Sequence, residues 1–219
     1  MKIFNFPSAE NINSSENLSL LESLVKRAMD IFIAVIGLII SMPLFVIAAV
    51  LIRLDSLGPV LIKQVRAGKN GKQFQLLKFR TMIVGANEET HKVLKKNPLK
   101  ILLLKNPNDP RVTKIGKFLR RWSIDELPQL WNVLSGEMSL VGPRPEETWI
   151  VELYNDEQMQ RLTIKPGLTG PMQVNGRAEL DIEERLTLEL DYIYNFSLWK
   201  DVRILLKTIP AVISGKGAY

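Results

Sequence analysis

The sequence predicts an α+β fold, mostly helical, with a small β-sheet or hairpin and one apolar N-terminal membrane helix. Three observations carry this. Residues 28–52 (AMDIFIAVIGLIISMPLFVIAAVLI) hold a single charge, Asp30, over a length no other part of the chain matches. Two short runs rich in β-formers, 60–65 and 73–79, flank Ala67-Gly-Lys-Asn-Gly71, which is turn chemistry. The rest alternates helical patterns with loops marked by Gly and Pro.

Taken in order, residues 1–20 are polar, with Asn, Ser and Glu clustered, and read as a flexible tail. Residues 21–55 form the membrane helix with a short amphipathic lead-in, ended by Asp55-Ser-Leu-Gly-Pro59. Residues 56–219 form one domain after the membrane helix. The hairpin opens it, and a helix plus loop follows over 84–110, where His91 sits among lysines as a solvated surface side chain. Residues 111–135 read as helix, turn, helix. Gly142 to Pro145 is a rigid loop, 147–162 a helix, Pro166 to Gly170 another loop, and 181–195 an amphipathic helix. The stretch from Leu198 to Ser214 mixes Trp and Leu with Lys200, Arg203 and Lys207. It suits a helix at a membrane interface, or equally one facing the core.

The membrane helix has two readings. Pro43 removes a backbone hydrogen bond and clashes with the carbonyl of Ile39, so the helix kinks or breaks there. Ser41 is placed to satisfy a freed carbonyl. A kinked spanning helix and a re-entrant hairpin both fit the length. Cations at both ends (Lys26 and Arg27 before, Arg53, Lys63 and Arg66 after) favour both ends being cytoplasmic.

Composition narrows the chemistry. The chain has no cysteine and one histidine, which excludes disulfides, Cys-based zinc sites and thiol nucleophiles. A formal charge of +6 fits an anionic partner. The basic residues are spread among acids and form no stripe with aromatics, so nucleic acid is not the expected partner. Carboxylates, lysines and arginines must carry any reaction.

The most informative segment is Arg120-Arg-Trp-Ser-Ile-Asp-Glu-Leu-Pro-Gln-Leu-Trp131. Ser123 and Glu126 have capping-box spacing, which predicts Ser123 as a helix N-cap with Asp125 and Glu126 in the first turn. In a bland reading the acids only cap the helix. In a sharper one the helix start, with Arg120 and Arg121 beside it, binds phosphate and keeps Asp125 ionised as a nucleophile. Two adjacent carboxylates then supply one nucleophile and one hard-oxygen magnesium ligand. Lys78, Arg80, Arg111 and Arg144 are candidates to converge on this pair; Arg144 is held stiff between Pro143 and Pro145.

These stretches together resemble the bacterial initiating sugar transferases, the small monotopic polyprenyl-phosphate phosphoglycosyl transferases. The matching segments are Lys-Phe-Arg-Thr-Met (78–82), Asp-Pro-Arg-Val-Thr-Lys-Ile-Gly (109–116), Ser-Ile-Asp-Glu-Leu-Pro-Gln-Leu-Trp-Asn-Val-Leu (123–134) and Met-Ser-Leu-Val-Gly-Pro-Arg-Pro (138–145). Lys-Pro-Gly-Leu-Thr-Gly (165–170), Gln-Val-Asn-Gly-Arg (173–177) and the C-terminal Ser-Gly-Lys-Gly-Ala-Tyr complete the set.

The resemblance implies transfer of a phosphosugar from a UDP-sugar to undecaprenyl phosphate with release of UMP. It makes Asp125 the nucleophile of a covalent intermediate and Glu126 its acidic partner at a magnesium site. Lys78, Arg120 and Arg144 become basic residues of the active site. It also implies a re-entrant helix broken at a Ser-Pro pair, although here Met42 separates Ser41 from Pro43. The catalytic domain would sit on the cytoplasmic face of the bacterial inner membrane, against its lipid. It would feed downstream membrane glycosyltransferases that build capsule, exopolysaccharide or lipopolysaccharide, and a homodimer is left open. Larger relatives carry extra N-terminal transmembrane helices, so this chain matches the minimal catalytic unit. The rival reading is a non-catalytic membrane scaffold of glycan assembly. The sequence does not name the sugar.

Overall fold

The computed structural model describes residues 19–86 and 109–217. His91 and most of the helix and loop expected over 84–110 lie outside those residues, as does most of the expected N-terminal tail.

Helix α1 (Leu20–Asp55) is a single element of 36 residues, about 54 Å at 1.5 Å per residue. Ser19 caps it, accepting a hydrogen bond from Glu22 N at 3.2 Å while Glu22 accepts from Ser19 N at 3.0 Å. Pro43 lies inside it, so the expected break does not divide α1 into two helices. Ser41 is buried and donates to Leu38 O at 3.3 Å.

One face of α1 packs on the folded domain. Ala34 joins a core cluster with Leu130, Val133, Leu140 and Tyr192, and Ala48 and Ile52 join another with Phe79, Leu119 and Ile124. Small residues allow the close approach: a Cβ on Gly37 would stand 3.1 Å from Leu130 Cδ1. The opposite face leaves Phe32, Ile39, Ile40, Val46 and Val50 exposed.

Polar anchors hold both ends of α1 to that domain. Near the N-terminal end, Lys26 meets Asp201 at 2.5 Å. Arg27 donates to Val133 O and Leu134 O, and Asp30 accepts from Ser139 Oγ and Leu140 N. At the C-terminal end, Asp55 accepts from Ile115 N at 3.0 Å. Arg80 there donates to the carbonyls of Leu57 and Ser56.

The hairpin forms as predicted: β1 (Leu61–Ala67) pairs antiparallel with β2 (Gln73–Phe79), Leu61 opposite Phe79. Helix α2 (Lys114–Arg121) follows, then a 3₁₀ turn (Ile124–Glu126) and α3 (Gln129–Ser135). Strand β3 (Ser139–Val141) pairs parallel with β4 (Gly167–Thr169). The sequence reading had made 166–170 a loop, because three residues are too few for an alternating pattern. Between these strands the helix expected over 147–162 is two short helices, α4 (Thr148–Val151) and α5 (Asp156–Met159), and a 3₁₀ turn. Asn155 starts a new capping box with Gln158 and so divides it.

Helix α6 (Pro171–Asn175), α7 (Ile182–Tyr194) and α8 (Leu198–Ser214) complete the chain. Helix α8 faces the core in part: Asp201 and Ile204 are buried, while Trp199, Leu206, Ile209 and Ile213 are exposed.

Candidate active site

A cavity of about 750 Å³ lies between α1, the hairpin, the 3₁₀ turn and the β3–β4 pair, within the size range of small-molecule sites. One part of its lining is charged and holds Lys78, Arg120, Asp125, Glu126, Arg144 and Arg177. Another is apolar, with Ile33 and Gly37 of α1 and Leu140, Leu168 and Leu205 from the domain.

The acid pair sits on the 3₁₀ turn, not at an N-capped α-helix. Ser123 adopts φ 54°, in the left-handed region, and its side chain caps nothing. The capping box read from Ser123 and Glu126 is therefore wrong. Its physical reason is that Glu126 is engaged elsewhere, and that α3 starts after Pro128 instead. Holding a serine in this conformation costs about 1–3 kcal/mol and turns the chain sharply into Asp125.

Lys78, on β2, reaches both acids: its Nζ is 3.1 Å from Asp125 Oδ2 and 3.2 Å from Glu126 Oε1. Arg144 donates through Nη2 to Glu126 Oε1 at 2.9 Å. Burial pushes Asp125 up from its ordinary value, against the pull of Lys78, and neighbouring Glu126 adds to the rise. The cations expected to favour the ionised form are present, and burial opposes them. Burial acts on Glu126 in the same sense, but Arg144 and Lys78 overcome it and hold Glu126 well below the carboxylate range. Glu126 in turn raises Arg144. The two adjacent acids are thereby driven apart, the arrangement that separates catalytic roles.

The loop carrying Arg144 is fixed by close backbone packing. Gly142 N donates to Thr169 O at 3.0 Å and Gly167 N to Pro143 O at 2.8 Å. A Cβ on Gly170 would lie 2.0 Å from Gly142 O, so only glycine fits there. Arg144 N donates to Glu189 Oε1 at 3.0 Å, and Arg161 binds the other oxygen of this fully buried carboxylate.

Of the residues singled out from sequence, Lys78, Arg120, Asp125, Glu126 and Arg144 line the cavity together. Arg120 donates from Nε to Thr81 Oγ1 at 2.9 Å and feels the charge of Asp125. Arg80 is not brought there; it is spent on the carbonyls that close α1. Arg111 binds Asp109, 2.6 Å at the closest, away from the cavity lining. Ser41 and Pro43 lie within α1 as described.

Sequence reasoning missed Arg177, which lines the cavity at φ 54° and faces Glu126 and Asp125. It also missed the Tyr154, Arg161 and Arg185 wall. The Gly176-Arg177 pair was a usable turn signal; the single arginines Arg161, on a 3₁₀ turn, and Arg185, on α7, gave none.

No group of three acids, histidines or cysteines stands together among the described residues. The adjacent carboxylates Asp125 and Glu126 nevertheless fit a magnesium ion of the kind shared between one or two side chains and substrate phosphates.

The chain belongs to the bacterial sugar transferase family, whose model matches residues 21–215. It is 44% identical over 196 residues to the galactosyl transferase CpsE of Streptococcus agalactiae serotype III, covering 89% of this chain and 43% of that protein. It is 41% identical over 210 residues to the UDP-glucose:undecaprenyl-phosphate glucose-1-phosphate transferase of Escherichia coli, covering 92% and 43%. It is 40% identical over 200 residues to the exopolysaccharide production protein ExoY of Rhizobium meliloti, covering 90% and 88%. The chain thus spans less than half the length of the first two relatives and most of the third.

Proposed function

We propose that this protein transfers a phosphosugar from a UDP-sugar to undecaprenyl phosphate, releasing UMP, and so starts the assembly of a bacterial surface glycan. The observation that carries this reading is the acid pair: Asp125 and Glu126 share Lys78 Nζ within 3.2 Å, inside a cavity walled by arginines and by the apolar helix α1. Such a site accepts a pyrophosphate and meets a lipid. The names of relatives over nine-tenths of the chain support the same substrates.

In the first step an Asp125 carboxylate oxygen attacks the β-phosphorus of the donor. The bond from that phosphorus to the bridging oxygen breaks, and UMP leaves with the electron pair. In the second step a phosphate oxygen of undecaprenyl phosphate attacks the same phosphorus and Asp125 departs as a carboxylate. Asp125 carries little hydration to shed, because it is 4% exposed. Lys78, Arg144, Arg120 and Arg177 neutralise the phosphates, which a carboxylate cannot otherwise approach. Glu126, kept ionised by Arg144 and Lys78, would hold a magnesium ion together with Asp125. Such an ion would supply further neutralisation of the pyrophosphate.

The protein is monotopic, with the catalytic domain on the cytoplasmic face. Both ends of α1 are bonded to one domain, which supports α1 entering and leaving the membrane on the same side. Helix α8 also exposes apolar side chains, Trp199, Leu206, Ile209 and Ile213, which suit a membrane interface.

The test is UMP release from a panel of UDP-sugars with magnesium and undecaprenyl phosphate, comparing wild type with Asp125→Asn. Lipid-dependent release lost in the variant supports the mechanism. Equal release from the variant, or none from wild type, returns the non-catalytic scaffold to the front.

A further inference from the structure

The hairpin sheet ends at β2, whose outer edge has no strand beside it among the described residues. Asn132, on α3 and 1% exposed, takes that place. Its Oδ1 accepts from Leu77 N at 3.0 Å, and its Nδ2 donates to Gln75 O at 2.8 Å. An amide and a carbonyl two residues apart are the groups that a neighbouring parallel strand would bond. One side-chain carboxamide thus satisfies the edge in place of a strand.

The orientation of that carboxamide is set by its surroundings. Nδ2 also donates to Glu137 Oε2 at 2.8 Å, and the same oxygen accepts from Ser135 Oγ at 3.0 Å. A carboxylate only accepts, so it keeps the nitrogen on its own side and leaves Oδ1 for Leu77.

The tie joins the two elements that carry the opposed halves of the site. Leu77 precedes Lys78, whose Nζ lies 3.1 Å from Asp125 Oδ2 and 3.2 Å from Glu126 Oε1. Asn132 is on the helix that follows the turn holding those acids. Phe74 and Leu76, on the same face of β2 as Lys78, pack in one cluster with Leu130 and Val133 of α3. Apolar burial has no direction, so it holds the strand against the helix without fixing its position along the strand axis. The two hydrogen bonds have direction and fix it. We propose that Asn132 is a positioning residue for the transfer, setting Lys78 against Asp125 and Glu126 by locking β2 to α3. This rests on the reaction proposed above and deepens it.

The experiment is a cycle on the full-length protein: wild type, Asn132→Ala, Lys78→Gln and the double variant. Each is measured for UMP release across pH and for Tm. Asn132→Ala is expected to lower kcat about tenfold or more, the effect of a displaced catalytic group. The acid limb of its kcat/KM is expected to move to higher pH, because Lys78 no longer pulls Asp125 down. Glu126, Arg120, Arg144 and Arg177, the other charges acting on Asp125, are kept in all four proteins. Adding Asn132→Ala to Lys78→Gln is expected to cost little further activity and to leave the limb where Lys78→Gln puts it.

An equal fold-loss in both backgrounds overturns the assignment and makes Asn132 a residue of the fold alone. So does a loss with the acid limb unmoved. If Asn132→Ala does not fold, Asn132→Asp replaces it in the same cycle; it keeps the bond from Leu77 N and loses the two that Asn132 donates. If wild type or Lys78→Gln releases no UMP, the cycle is read from Tm. A smaller fall from Asn132→Ala without Lys78 than with it supports the tie, and equal falls overturn it. Only an inactive wild type counts against the transfer reaction itself.

Discussion

Asp125 and Glu126 are neighbours in sequence with opposite electrostatic fates, and that contrast sets the predictions at the residue scale. Burial raises Asp125, so its charged form is held at a cost to folding. Between the unfolded and folded pKa the native state binds more protons than the unfolded state, so this group lowers stability as pH rises through that window. Asp125→Asn is expected to abolish UMP release and to raise Tm by about 2–4 °C, the shift that about 1 kcal/mol gives in a chain of this size. A variant that loses activity and also melts lower would show that Asp125 holds the fold. The wild-type rate of UMP release is expected to fall on the acid side at a pH above the ordinary aspartate value, as the nucleophile takes up a proton. Glu126 contributes with the opposite sign: its pKa is depressed, so its stabilisation is present above the ordinary glutamate value and is lost only as pH falls through the folded one. The acid pair and its partners Lys78 and Arg144 were legible because they sit in dense local motifs. Their pKa split was not, since it depends on burial that only the tertiary fold creates. Arg80 shows the reverse error: its position on the hairpin suggested phosphate, whereas the open carbonyls at the end of α1 claim it.

At the scale of elements, the long or strongly periodic segments were legible, as was the helix–turn–helix of α2 and α3, whereas the three-residue strands were not. Helix α1, the β1–β2 hairpin, α7 and α8 each carry a pattern over many residues. The β3–β4 pair does not, because its three-residue strands are defined by a partner far along the chain. That pair is what sets Arg144. Glu189, fully buried on α7, accepts from Arg144 N and from Arg161. Glu189→Gln is therefore expected to lower kcat for UMP release by about tenfold to a hundredfold with little change in UMP inhibition, the pattern of a displaced catalytic group. A change confined to UMP affinity would place Glu189 in nucleotide binding instead. The contact between α1 and α8 depends on Lys26 and Asp201, 2.5 Å apart, with Tyr192 OH also donating to Asp201 at 2.6 Å. Lys26→Met leaves Asp201 buried without its cation and is expected to cost about 3–5 kcal/mol in denaturant unfolding of the detergent-solubilised protein. A loss below about 1 kcal/mol would mean that α8 is held by its apolar contacts alone.

For the whole molecule the deciding question is whether a helix long enough to cross a bilayer does cross it. From Asp30 to Asp55 is about 38 Å along the helix axis, more than the roughly 30 Å hydrocarbon core. Yet Asp30 accepts from Leu140 N and Asp55 from Ile115 N, both in the same folded domain. A spanning arrangement would have to carry part of that domain through the lipid or break one set of bonds, leaving a buried carboxylate or helix end unpaired. A helix dipping in from one side would keep every bond, place the exposed apolar face of α1 in the leaflet and hold the charged cavity near the headgroups. The chain lacks cysteine, so single-cysteine variants report cleanly. Ser23→Cys and Lys69→Cys, both at exposed positions, flank the apolar stretch. In right-side-out bacterial membrane vesicles an impermeant maleimide is expected to label neither, and in inverted vesicles to label both. Labelling of one site in each orientation would establish a spanning helix, and would require the anchors at Asp30 or Asp55 to release in the membrane.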